Sequence, residues 1–147
     1  MKFSNHLEYL YTAKYHNSVV KRMLENYENF PDKRMIIGVI NESARVVSNL
    51  IMAYLSLEKS LSKDFLLNIS TFRKISKKYF DDETCLSLLK IVEIQKDSKA
   101  SPVEFKKGEK IIFLIDGKYK ILTIDKLKVL TKAINTAIFA LPIERQL

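Results

Sequence analysis

An Asp-Gly pair, Asp116-Gly117, sits inside the one segment of this chain that does not read as helix, and it constrains the fold more than any other feature. The segment runs from Lys99 to Leu127. It opens on a Ser101-Pro102 break and a basic loop, Lys106-Lys107-Gly108. An apolar run from Lys110 to Ile115 follows, then the Asp-Gly pair, a second short run, and a helix start at Thr123. A type I′ turn needs positive φ at both central residues, and its twist matches that of paired strands. Asp-Gly between two apolar runs therefore predicts a β-hairpin over about 109–123. The second strand alternates, with Tyr119 and Ile121 on one face and Lys118 and Lys120 on the other. That alternation is expected to turn Tyr119 onto the rest of the fold and the lysines to solvent.

The remainder is patterned for helices. Asn5 and Glu8 have capping-box spacing at the head of a first helix reaching Asn29. Leu7, Leu10, Tyr11, Met23, Leu24 and Tyr27 give it one apolar stripe, and Phe30-Pro31 ends it. A second helix, from Pro31 or Asp32 to about Lys59, carries the widest stripe: Ile36, Val39, Ile40, Val47, Leu50, Ile51 and Tyr54. It is expected to be the central helix, with Gly38, Ala44 and Ala53 allowing a neighbour close. A third places Phe65, Ile69, Phe72, Ile75 and Tyr79 on one face and Arg73, Lys74, Lys77 and Lys78 on the other. Asp81-Asp82-Glu83 caps a fourth, running to about Lys96 and carrying Cys85, Leu86, Leu88, Leu89, Val92 and Ile94. A fifth runs from Ile124 to Ala140, capped by Thr123 and stopped by Pro142.

These elements predict a mainly α architecture: a single domain over 1–147, an antiparallel four- or five-helix bundle with a β-hairpin inserted before the last helix. Composition agrees, since three glycines and three prolines in 147 residues are too few for the turns of an all-β fold. The most apolar window, Val46 to Leu57, is short of the roughly 20 residues a bilayer span needs, so no membrane is expected among the partners. Met1-Lys2-Phe3-Ser4-Asn5-His6 does not read as a signal peptide, and Cys85 is the only cysteine. Both features fit a reducing, cytoplasmic setting.

The chemistry is narrow. His6 and His16 are ten residues apart on one helix, about 15 Å along its axis, too far to share an ion. Three scattered glycines build no phosphate loop, and Cys85 reads as a buried small hydrophobe. No metal site, cofactor or catalytic residue is expected. What remains is charge. The net charge is +8, and residues 59–132 hold 17 Lys/Arg against 10 Asp/Glu while residues 1–58 hold 7 against 6. A basic half beside a neutral one suits a polyanion such as RNA or DNA. The candidate phosphate contacts are Arg73, Lys74, Lys77 and Lys78 on the third helix, Lys106 and Lys107 before the hairpin, and Lys118 and Lys120 on its second strand.

The long second helix carries Asn41-Glu42-Ser43-Ala44 before Leu50-Ile51-Met52-Ala53-Tyr54-Leu55, and in this it resembles the HEPN superfamily. The chain is also similar to uncharacterised archaeal helical proteins in which a His-Lys-x-Ser-Pro-x-Glu-Phe segment leads into a hairpin and a last helix. Lys99, Ser101, Pro102, Glu104 and Phe105 match that segment, and Ser98 stands in the place of its histidine. HEPN ribonucleases use an arginine followed four to six residues later by a histidine, and this chain has no such pair. The resemblance therefore implies a non-catalytic binding protein for nucleic acid or a nucleic-acid-handling partner. Two other functions compete with it: an interaction protein that dimerises through its helices or hairpin edge, and a divergent ribonuclease with a base other than histidine.

Overall fold

The computed structural model describes residues 5–101 and 104–142. Helix α1 spans Asn5–Asn29 and α2 spans Lys33–Leu57, and the two pack antiparallel along their length. The buried face of α1 is Leu10, Ala13, Asn17, Val20 and Tyr27. Tyr11, expected inward, is exposed, because it lies about 100° around the helix from Leu10 and off that face. The capping interaction expected at Asn5 rests on a side chain outside the described residues.

Helix α2 is the centre of the fold, as its stripe predicts. All seven expected stripe residues are buried, together with Ser43, Ala44, Val46, Ala53 and Leu55. Asp32 starts the helix by accepting from the Arg34 amide at 2.9 Å. Gly38 meets Met23 of α1, where an added Cβ would lie 3.0 Å from the Met23 methyl carbon. By length and composition α2 is also the one helix among the described residues able to cross a membrane, a longer candidate than the Val46–Leu57 window. Half of its most apolar stretch is buried inside the fold.

Helix α3 covers Phe65–Ile75 and tightens into a 3-10 turn at Ser76–Lys78. Asp64 caps it, accepting from the amides of Leu66 at 3.0 Å and Leu67 at 3.3 Å. Only Phe72 of its expected stripe is fully buried, and Phe65 is exposed. Helix α4 covers Asp82–Ala100, four residues beyond the expected end, and stops where Ser101 turns extended ahead of Pro102. Asp81 caps it through the Thr84 amide at 3.0 Å, the capping role expected of that acidic run. Cys85, Leu88, Ile91 and Ile94 are its buried face, while Leu86 is exposed.

The insertion is larger than the expected hairpin. Strands β1 (Glu104–Lys107), β2 (Lys110–Ile115) and β3 (Lys118–Thr123) form an antiparallel sheet in the order β1-β2-β3. The expected basic loop at Lys106-Lys107-Gly108 is instead the end of a strand and a tight turn. Gly108 at φ 62° supplies the left-handed residue that turn requires. Asp116 at φ 50° and Gly117 at φ 76° form the second turn, as expected. Helix α5 covers Ile124–Ala140, with the Thr123 hydroxyl accepting from the Lys126 amide at 3.0 Å.

A buried hydrogen bond ties the central helix to the last one. The Tyr54 hydroxyl of α2 donates to the Ala137 carbonyl of α5 at 2.6 Å, fully buried. That carbonyl lies in the last turn of α5, where a helix has no amide of its own to offer. The Tyr54 ring sits among Phe72, Tyr79 and Phe80, with centroids 5.9, 4.9 and 5.6 Å away. Tyr54→Phe keeps the ring packing but strands a buried acceptor. It is expected to destabilise the fold by about 1–3 kcal/mol, read as a lower urea midpoint with an unchanged slope. An unchanged midpoint contradicts this role.

Candidate nucleic-acid interface

Pairing register decides which side chains of the sheet reach solvent. Residues directly opposite share a face, so Ile111 and Leu122 lie with Lys106 on one side. Phe113 joins Glu104 and Lys120 on the same side. Ile111, Phe113 and Leu122 are buried, and β2 and β3 contact α4 and α5 respectively. This is the inner face. The lysine face of β3 is therefore turned toward the helices, the reverse of the expectation. Lys120 Nζ donates to Asp97 Oδ2 of α4 at 2.9 Å and lies 4.0 Å from Glu93. Lys120 borders a cleft with Ile94, Phe113 and Leu122 while its ammonium reaches a carboxylate, and the bond to Asp97 holds that ammonium above its ordinary pKa. Tyr119 and Ile121, expected against the bundle, are 65% and 59% exposed.

The other expected cations fall into distinct settings. Lys106 lies over the Tyr27 ring of α1, its Nζ 5.9 Å from the centroid. Lys107 and Lys118 are exposed on the sheet. On α3 and its 3-10 extension, Arg73, Lys74 and Lys77 line a cleft of about 480 Å³ with Leu66, Ile69, Ser70 and Asp82. None of the three makes a salt bridge among the described residues. Lys78 turns away, donating to Glu58 at 2.8 Å.

The eight cations thus form two groups rather than one. Asp82 borders the α3 cleft and Asp97 holds the sheet lysine, and both are on α4. Fifteen residues separate them in sequence, which is about 22 Å along a helix axis. A ligand touching both groups must be extended.

The histidines are more involved than their spacing suggests. His16 Nδ1 of α1 is 2.6 Å from Glu42 Oε1 of α2, and Arg45 donates to the other oxygen of Glu42 at 2.9 Å. Twenty-six positions separate His16 from Glu42, so no local motif signals the pair. It clamps α1 to α2 one residue along α1 from the Asn17–Asn135 bond that ties α1 to α5, at 3.1 Å. His6 is buried, and Cys85 is buried as expected. Among the described residues no three His, Cys, Asp or Glu side chains are placed to hold a metal ion.

Comparison of the chain with protein-family models, with curated proteins and with solved structures gives no match in any of the three.

Glu58 makes the groups bordering the α3 region sensitive to acid. It accepts from Lys78 Nζ and from the Tyr79 hydroxyl. The Lys78 bond, then the Tyr79 bond, hold its carboxyl below the ordinary 4.5. Burial and the same carboxylate push the Tyr79 hydroxyl up to about 12. A carboxylate with a depressed folded pKa contributes stability that is fully present above the unfolded value and is lost as pH falls through the folded one. The stability advantage of the wild type over Glu58→Gln is therefore expected to be level above about pH 4.5 and to shrink below it. Denaturant titrations at several pH values read this, and an advantage that grows on acidification contradicts it.

Proposed function

We propose that this chain is a non-catalytic, HEPN-like binding protein whose basic surface holds the phosphates of RNA or DNA. The observation that carries the reading is the set Arg73, Lys74 and Lys77: three cations on one cleft, with no intramolecular ion pair among the described residues. Lys78, Lys120 and Lys128 are by contrast held in ion pairs, on Glu58, Asp97 and Glu28. Arg73 and Lys74 also suit the C-terminal end of α3, where positive charge is favoured by the helix dipole. That role alone does not call for Lys77, which lies beyond the α-helix in the 3-10 turn. The exposed Lys107 and Lys118 supply further positive charge at the sheet.

Phosphate binding releases counterions, so affinity must fall steeply with salt. Binding of a labelled single strand, followed from about 50 to 200 mM salt, is expected to give a linear log–log dependence. Arg73→Gln, Lys74→Gln and Lys77→Gln together remove three contacts. The slope is expected to become shallower by about 2, at roughly 0.7 per phosphate on a single strand. All three side chains are exposed, so the circular dichroism of the variant should match the wild type. No binding at low salt, or an affinity indifferent to salt, contradicts the proposal.

A further inference from the structure

The outer face of the sheet is apolar and uncovered among the described residues. The register places Phe105, Ile112 and Ile121 in one row across it, and Leu114 and Tyr119 in the next. Phe105, Ile121 and Tyr119 are 43%, 59% and 65% exposed. Lys107 and Lys110 lie on the same face, directly opposite each other, and both are exposed. Like charges opposed across strands repel, and neither lysine has a salt bridge among the described residues. The face therefore offers two aromatic rings on an aliphatic floor, with an uncompensated cation pair at one end. The Asp116-Gly117 turn closes the other end.

Those features select among occupants. A second copy of the chain would bring Lys107 and Lys110 into a like-charged, isologous contact whenever the two faces met in the same sense. The face also measures only about 14 Å by 17 Å, from three strands at their ordinary spacing and five residues of strand length. That is well under the roughly 800 Å² per partner of a stable interface. An unpaired nucleic-acid strand needs less area and uses what is present. Every base has a π face that stacks on an aromatic ring whatever its identity, and lysines beside the rings take the phosphates. Phe105 and Tyr119 are two strands and one two-residue step apart, about 12 Å. That separation leaves Ile112, Leu114 and Ile121 beneath the space between them.

We infer that the outer face of the β1-β2-β3 sheet is a stacking platform for single-stranded nucleic acid, with Phe105 and Tyr119 holding bases and Lys107 and Lys110 holding backbone phosphates. The inference rests on the nucleic-acid reading above and assigns it a strandedness and a second surface. Duplex bases are stacked on each other and unavailable to the rings, so the platform discriminates against duplex.

The test compares an oligonucleotide of about 10 residues, as single-stranded RNA, single-stranded DNA and blunt duplex. It uses the full chain and three variants: Phe105→Ala/Tyr119→Ala, Phe105→Leu/Tyr119→Leu, and the α3 triple Gln variant. The Ala pair is expected to weaken single-strand binding by about 10-fold per ring, with the salt slope unchanged. Duplex binding should not change. The Leu pair keeps apolar area and loses the π face, and it should be as weak as the Ala pair. Equal losses on RNA and DNA are expected, since stacking does not read the sugar. Salt-dependent single-strand binding that is identical in the wild type and the Ala pair overturns the platform and leaves the basic-surface reading standing. No nucleic-acid binding by the wild type at low salt overturns both. A Leu pair with full affinity overturns stacking. A dimer in light scattering that the Ala pair converts to monomer, with nucleic-acid binding unchanged, gives the face to a second copy and overturns the inference.

Discussion

Burial of Ile111, Phe113 and Leu122 beneath the sheet is the contact on which the functional geometry depends. These three residues set which side of β2 and β3 faces the helices. Because strand side chains alternate, the same choice fixes every other position of the sheet. It draws Lys120 to Asp97 and leaves Tyr119, Ile121 and Phe105 in solvent. The sheet is anchored at its turn as well. The Glu109 carbonyl accepts from the Ile124 amide at 3.0 Å, and its carboxylate accepts from the Tyr27 hydroxyl at 3.3 Å. The first turn of the sheet is thus tied to both α1 and the start of α5.

The helices provide the rigid support for this arrangement. α2 contacts α1, α3, α4 and α5, and its buried side chains span nearly the whole helix. Polar ties are placed where helix pairs meet: His16 with Glu42, Asn17 with Asn135, and Tyr54 with Ala137. A half-buried Asn–Asn or His–Glu pair contributes little net stability. Its partners are costly to leave unmatched, so such pairs discriminate against sliding of one helix along another. The exposed cations of α3 and the bare face of the sheet are then carried at opposite ends of α4 on one scaffold.

Much of the fold was legible in the sequence, for identifiable reasons. Pro31, Asp81, Thr123 and Pro142 mark helix ends through backbone chemistry that tertiary contacts do not override, and α1, α5 and the Asp-Gly turn follow the pattern closely. The α2 stripe was legible because its apolar residues recur over about five turns, from Ile36 to Tyr54. Strand β1 was not. Glu104-Phe105-Lys106-Lys107 is short and mostly charged, and it becomes a strand only because β2 offers an edge and Gly108 permits the turn. The two faces of β3 were separable by alternation, yet their assignment came out reversed. Tyr119 and Ile121 look like core beside two lysines, but Leu122 shares its parity with Lys118 and Lys120 and leads directly into α5. That residue was the available signal. The His16–Glu42 pair had none, since its partners come from different helices.

Thiol accessibility tests the orientation of the sheet most directly. Single cysteines at adjacent positions, Ile121→Cys and Leu122→Cys, differ only in the face they occupy, and Cys85 is buried and should stay silent as background. The account predicts rapid reaction of the Ile121→Cys thiol in the native protein, and reaction of the Leu122→Cys thiol only once denaturant is added. The opposite order, which a one-residue slip of register would produce, would contradict it and remove the aromatic platform from solvent.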